Sequence, residues 1–295
     1  TFVTITEDSR TPKDLTNNPI KNNLFDAKVQ VKKIDAESGK VVKLPDAEFK
    51  IKVASTANGA EYAYCDGRKF APGDYVGYYT LDALEGFYKD TWTTDEDGFL
   101  EIGKKLSAGT YYLEEINAPE GYTLNSEYAT FTISTEGVFE TDEEGNAIFT
   151  ALFKDEPVKG QIEVSVTGDV LKGFEDGDFT YESQTLGNAK FNIVAARDIM
   201  DPSNDGTVLY EEGEVVETVT TKRDSQSNEY KIVTSKLPLG WYNVEQVSAP
   251  HGYVVNTEPQ LVKLEYIDQK EKNHIVKKSV SFENDRQKYE VSTTK

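Results

Sequence analysis

Hydrophobic and polar positions alternate along much of this chain, and one alternating stretch occurs twice. Gly109-Thr-Tyr-Tyr-Leu-Glu-Glu-Ile-Asn-Ala-Pro-Glu-Gly-Tyr-Thr-Leu-Asn125 reappears without a gap, 131 positions later, as Gly240-Trp-Tyr-Asn-Val-Glu-Gln-Val-Ser-Ala-Pro-His-Gly-Tyr-Val-Val-Asn256. A period of two is that of a strand with one buried face, and Ala-Pro-x-Gly-Tyr supplies the Pro and Gly of a tight reversal. Similar alternation predicts strands over 27–35, 47–53, 99–102, 130–134 and 147–154, then over 161–166, 188–194, 260–267 and 275–284. Residues 175–184 read as a loop, and 198–228 as polar and turn-rich. Short strands at regular spacing, each closed by a turn signal, predict an all-β protein of tandem immunoglobulin-like β-sandwich modules.

The repeat sets the expected boundaries. Residues 23–159 form a first module interrupted by an aromatic insert at 54–92, and residues 160–286 form a second. Residues 1–22 read as tail strands of a preceding module and 287–295 as the first strand of a following one, so both ends are expected to lie inside a longer array.

Three ionisable residues of the first module fall on faces that alternation turns inward. Lys33 continues the stripe of Val29 and Val31, Glu115 that of Tyr111 and Leu113, and Asp155 that of Ala151 and Phe153. Burial disfavours the charged form of each. A neutral amine is a nucleophile, a protonated carboxyl can lose water to it, and a neutral glutamic acid can shuttle the protons. The residues alone leave two readings open, a Lys–Asp isopeptide bond and a buried ionic triad without covalent chemistry. In the second module Val166 stands at the lysine position and Gln246 at the glutamate position, while Asn284 keeps the acceptor position.

Composition narrows the alternatives. The chain has 295 residues with 32 Lys plus Arg against 52 Asp plus Glu, a net charge of −20. Such a surface repels nucleic acid and anionic membranes, and no apolar run approaches the roughly 18 residues of a membrane span. His251 and His274 stand far apart, so neither a metal site nor a cofactor is expected. There is no Gly-rich phosphate loop and no G-x-S-x-G elbow, so no enzyme acting on an external substrate is expected. Cys65 is the single cysteine and reads as a free thiol. The acidic turns at 95–98 and 142–146 read as solvated rather than as Ca²⁺ loops. The insert at 54–92 either covers a sheet edge or offers tyrosines for recognition.

Several stretches together resemble the CnaB/SpaA-type, prealbumin-like modules of Gram-positive pilins and surface adhesins. They are Val31-Lys-Lys-Ile-Asp-Ala-Glu-Ser-Gly-Lys40, Asp46-Ala-Glu-Phe49, the Glu115 repeat, and Phe153-Lys-Asp-Glu-Pro157. The resemblance implies an autocatalytic isopeptide crosslink between Lys33 and Asp155, with Glu115 as catalyst, and none in the second module. It also implies a structural stalk outside the cell, anchored by a signal beyond this segment, with adjacent modules as its partners. The alternative is an adhesin region that binds a host protein or glycan through the insert.

Overall fold

The computed structural model of the chain describes residues 25–82, 85–134, 136, 140–290 and 292. The strands expected at 1–22 and 287–295 lie outside the described residues, apart from 287–290 and 292, to which no strand is assigned.

The alternation predicted along the chain becomes strand. Its first half holds β1 (Asp26–Asp35), β2 (Glu48–Thr56), β3 (Ala63–Cys65), β4 (Arg68–Phe70), β5 (Tyr78–Asp82), β6 (Glu85–Lys89) and β7 (Trp92–Thr93). These are followed by β8 (Phe99–Glu101), β9 (Leu106–Ser107), β10 (Gly109–Asn117), β11 (Ala129–Ile133), β12 (Glu140–Thr141) and β13 (Ala147–Asp155). One sheet runs β12-β13-β1-β9-β3-β4 with β8 also paired to β1, and the facing sheet runs β11-β10-β2-β7. Between them lies a core that includes Val31, Phe49, Ile51, Tyr111, Leu113 and Phe153.

Two registers position everything that follows. β1 and β13, the first and last strands of this sandwich, are parallel neighbours with Lys33 opposite Phe153 and Asp35 opposite Asp155. β2 and β10 are antiparallel with Phe49 opposite Glu115. Because side chains alternate faces, a slip of one residue in either pair would turn the buried charges out to water.

The second half repeats the plan with β14 (Lys159–Glu175), β15 (Asp178–Thr185), β16 (Lys190–Ala195), β17 (Ile199–Met200), β18 (Val208–Tyr210) and β19 (Val215–Thr220). Then come β20 (Lys222–Arg223), β21 (Tyr230–Val233), β22 (Gly240–Ser248), β23 (Gln260–Leu264) and β24 (Ile275–Glu283). One sheet is β15-β14-β21-β20 with β24 on β14, the other β19-β16-β22-β23. A second core gathers Ile162, Val164, Val166, Phe191, Tyr242 and Phe282.

Two expectations need correction. Residues 175–184 are not a loop: β14 continues far past the core and returns as β15 in a hairpin. The polar stretch 198–228 contains four strands, β17 to β20. In both stretches the strands are short or leave apolar side chains such as Phe179, Tyr181, Leu209 and Val215 in water, so they do not form the buried stripe that marks the other strands. The insert is divided between two roles. Cys65, Phe70, Val76, Tyr78 and Trp92 join the first core, whereas Tyr75, Tyr79, Phe87 and Tyr88 remain exposed.

The halves meet through specific polar contacts. Lys40 Nζ pairs with Asp201 Oδ2 at 2.8 Å and Asp205 Oδ2 at 2.9 Å. Lys43 N–H donates to the Ser203 carbonyl at 2.8 Å, and Asn204 Nδ2 donates back to the Lys43 carbonyl at 3.0 Å. On another side the Gln269 side chain accepts from Ala118 N–H and its carbonyl from Leu124 N–H.

The turn before β8 pins the backbone of Lys33. Lys33 N–H donates to the Gly98 carbonyl and the Lys33 carbonyl accepts from Val42 N–H, each at 3.0 Å. Gly98 has φ +78°, and a Cβ there would fall 1.9 Å from the Val42 carbonyl oxygen. Gly98→Ala is therefore expected to destabilise the first sandwich by roughly 2–3 kcal/mol. Gly145→Ala, at φ +80° in open space, should cost about 1 kcal/mol. Denaturant unfolding of the two variants checks the difference.

Candidate functional site

The inward stripe of β1 carries Lys33 into the first core with no solvent exposure of its side chain. Its Nζ touches Glu115 Oε1 and Asp155 Oδ2, whose side chains are equally closed to water. The structure thus brings together all three residues singled out in the sequence. Two rings wall the amine: Nζ lies 4.5 Å from the ring centre of Phe153 and 5.3 Å from that of Phe49. These rings meet edge to face, with centroids 5.0 Å apart. They keep water from the amine while offering it their negative faces.

The electrostatics follow from that enclosure. Burial pushes the Glu115 carboxyl up to about 8, a rise that Asp155 adds to and Lys33 opposes. Burial also raises Asp155, against the pull of Lys33. Apart from the contact with the amine, neither carboxyl oxygen of Asp155 has a hydrogen-bond partner among the described residues. Two carboxyls facing one amine cannot both hold a full charge cheaply, so an acid form is within reach at neutral pH.

The reversal after β10 holds this arrangement. Asn125 N–H donates to Glu115 Oε2 at 3.0 Å, and its Nδ2 donates to the Lys154 carbonyl on β13, also at 3.0 Å. Thr123 N–H donates to the Glu156 carbonyl, and Val158 N–H to that of Gly121. Tyr122 is buried with its hydroxyl donating to Asp35 Oδ2 at 2.9 Å, and burial with the nearby carboxylate pushes that phenol up. The repeated segment therefore both supplies Glu115 and clamps the last strand. Sequence reasoning missed Phe49, Phe153 and Asn125 as parts of the site. The signal was there, since each lies within a stretch singled out for another reason.

The second sandwich holds the same positions with different chemistry. Val166 lies opposite Phe282 on β24, as Lys33 lies opposite Phe153, and Phe191 lies opposite Gln246 as Phe49 lies opposite Glu115. Gln246 Nε2 donates to Asn284 Oδ1 at 2.8 Å, and Asn284 Nδ2 donates back to Gln246 Oε1 at 2.7 Å. Asn256 N–H reaches Gln246 Oε1, and Asn284 Nδ2 also reaches the Val254 carbonyl. A closed pair of neutral amides stands where the first sandwich has charges.

Other candidates separate from this site. Cys65 is buried, and desolvation pushes its thiol up to about 12, so it is not nucleophilic at neutral pH. The acidic turns have protein partners: Asp95 accepts from the N–H groups of Asp97 and Phe99, and Asp142 accepts from Asn146 and pairs with Lys28 Nζ at 2.6 Å.

A family model described as SpaA, prealbumin-like fold domain, matches residues 27–147 and 180–279, about three quarters of the chain. Comparison with curated proteins finds no match. Among solved structures the chain is similar to the Bacillus anthracis TIE protein, at 20% identity and TM-score 0.48, over 89% of this chain and 34% of that one. It is similar also to a streptococcal ancillary pilin, at 18% identity and TM-score 0.30, over 90% and 64% of the two chains. The shaft pilin SpaA of Lactobacillus rhamnosus GG shares 15% identity at TM-score 0.28, over 91% of this chain and 100% of its own. The chain thus spans about a third of the first of these proteins and under two thirds of the second.

Gln246→Ala would strip Asn284 of two bonds and Asn256 N–H of its acceptor. With the cavity added, the expected loss is about 3 kcal/mol for the second sandwich. Thermal or denaturant unfolding, followed by Trp241 fluorescence, measures it.

Proposed function

We propose a function from one premise: the chain belongs to the SpaA family of prealbumin-like fold domains. It is a structural stretch of a pilin or adhesin stalk on the surface of a Gram-positive bacterium. It lies outside the cell, works beside adjacent modules of its own polypeptide, and is anchored through a signal elsewhere in the parent protein. It turns over no external substrate. The observation that carries this reading is the contact of Lys33 Nζ with Asp155 Oδ2 beside Glu115, in a dry, ring-walled core.

In this reading the first sandwich crosslinks itself once. The ammonium proton of Lys33 passes by way of Glu115 to Asp155, leaving a neutral amine and a carboxylic acid. The amine attacks Asp155 Cγ, and the new C–N bond forms as Glu115, in its acid form, hydrogen-bonds the developing oxyanion. A second nitrogen proton is relayed by Glu115 to the departing hydroxyl. The C–O bond breaks, one water leaves, and Glu115 returns to its starting state. The product is an amide between Lys33 Nζ and Asp155 Cγ.

The mechanical consequence follows from topology. β1 and β13 are parallel neighbours, so tension applied to the two ends of the sandwich shears one past the other. A bond from Lys33 to Asp155 would carry that load directly. It would also close a loop of 122 steps along the chain, removing about 4–5 kcal/mol of unfolded-state entropy by analogy with a disulfide. Burial of Phe70, Val76, Tyr78 and Trp92 in the first core favours a scaffolding role for that half of the insert over ligand binding.

Intact mass tests the proposal. The wild-type chain is expected lighter than its sequence by one water, and Glu115→Ala at full mass. Full mass in both would leave only a buried ionic triad. In chain held unfolded before the bond has formed and then allowed to fold, crosslinking should slow as pH rises through about 8, where Glu115 loses its proton; a rate that keeps rising there would remove the general-acid role. Val166→Lys combined with Gln246→Glu should install the same chemistry on Asn284, with the loss of one ammonia.

A further inference from the structure

The reversal that holds Glu115 is itself held from outside its sandwich. Gln269 belongs to the second half, on the turn that leads into β24. Its side-chain Oε1 accepts from Ala118 N–H at 2.6 Å, and its backbone carbonyl accepts from Leu124 N–H at 2.9 Å. Ala118 is the first residue beyond β10, and Leu124 directly precedes Asn125. One residue thus ties together both legs of the 118–125 reversal, whose last residue donates to the Glu115 carboxyl.

The first sandwich does not supply the Ala118 bond from its own ladder. The pairing of β10 with β2 slips after Glu115 and resumes only at Asn117 opposite Glu48, where β2 begins. A bulge beside a functional side chain leaves its aim to whatever fixes the strand beyond. Here that is Asn117, whose Nδ2 donates to the Asp46 carbonyl at 2.9 Å, and then Ala118 on Gln269. The other backbone anchors of the reversal, at Gly121, Thr123 and Asn125, hold its tip and far leg against β13 and the residues after it. Beneath it Val42, Ala118 and Tyr122 form a small buried cluster, with Leu44 and Leu124 packed on it. Gln269 covers that cluster and satisfies two backbone donors at its rim.

Gln269 is firmly mounted. Asp268 Oδ1 accepts from Lys270 N–H at 2.9 Å and from Asn273 Nδ2 at 2.8 Å, and Asn273 N–H donates to the Lys270 carbonyl. The His274 carbonyl accepts from Lys159 N–H, where β14 and β24 begin their parallel pairing. The turn therefore takes shape as the second sandwich adds its last strand. In that sandwich the donors matching Ala118 and Leu124 are Ala249 and Val255, and neither has an acceptor among the described residues. The Gln269 bonds are an addition to the common frame, and they fall on the sandwich that buries Lys33.

We propose that Gln269 is a positioning residue for Glu115, so that the second sandwich completes the crosslinking site of the first. This role rests on the crosslink proposed above. Gln269 touches no reacting atom and acts through Ala118 and the Leu124–Asn125 leg. The Glu115 carboxyl has to serve Lys33 of β1 and Asp155 of β13 at once, and a displacement of about 1 Å can cost a positioned group about a hundredfold in rate. Crosslinking of the first sandwich accordingly follows closure of the second.

The rate of water loss tests it. The whole chain is made by cell-free translation, quenched into denaturant at intervals, and weighed intact. Gln269→Ala, which keeps the backbone bond to Leu124 and loses the one to Ala118, is expected to crosslink about tenfold more slowly. Gln269→Glu, which keeps an acceptor oxygen in place, should crosslink near the wild-type rate. Val244→Ala weakens the second core without touching the turn, and well below its unfolding temperature it should match the wild type. The pH profile separates positioning from stability. Burial raises the Glu115 carboxyl and Asn125 N–H opposes that rise, so a loosened reversal should move the fall in rate to higher pH in Gln269→Ala. Equal rates for wild type and Gln269→Ala, an equal slowing in Val244→Ala, no rescue by Gln269→Glu, or an unmoved pH profile would each overturn the positioning role and leave the crosslink standing. A wild type that never loses water would overturn the crosslink itself, and the positioning role with it.

Discussion

An ammonium group removed from water into an apolar core loses several kcal/mol of hydration, and only good partners recover it. In the first sandwich Lys33 is fully buried, and the surrounding structure supplies those partners from three strands. β1 brings the amine, β10 the Glu115 carboxyl and β13 the Asp155 carboxyl. Their meeting fixes the parallel register of β1 on β13 and the antiparallel register of β2 on β10. It also requires the Gly98 turn to approach closely enough to accept the Lys33 N–H. The rings of Phe49 and Phe153 then exclude the water that would otherwise solvate the amine and the two carboxyls.

The second sandwich shows what the same framework does without the amine. Valine at position 166 has no charge to balance, and an acid at position 246 would then be buried without a cation. Glutamine removes that cost and turns the acceptor Asn284 into a structural partner through two reciprocal hydrogen bonds. The clamp survives the change, because Asn256 holds Gln246 as Asn125 holds Glu115. The clamp is thus a property of the fold, and the chemistry is a property of three positions within it. On the proposed reading one sandwich is covalently locked and its neighbour relies on packing and hydrogen bonds alone.

The segment after each first strand varies more than the frame does. In the first half it is a short basic crossing that ties the two sandwiches together at Asp201 and Asp205. In the second half it is a long acidic hairpin with aromatic side chains left in water. Interior alternation is kept because every inward residue has a packing partner. The segment outside the core is free of that constraint and can be shaped toward contacts.

The sequence alone determined the all-β class, the two-fold repetition and the inward position of Lys33, Glu115 and Asp155. All three depend on a period of two that a half-buried strand must obey. It equally marked Val166, Gln246 and Asn284 as departures, because the repeat aligns without a gap. Residues 175–184 were misread as a loop, and the short strands within the turn-rich stretch 198–228 went unmarked, since these strands leave much of their apolar surface in water. Alternation also says which face a residue joins, never which residues of another strand it meets. That Lys33 lies between Phe49 and Phe153, that Asn125 reaches across to Lys154, and that the insert sends Trp92 inward and Phe87 outward were decided by strand pairing and sheet packing. Those contacts join residues distant in sequence, so their geometry exists only once the sheets have closed on one another.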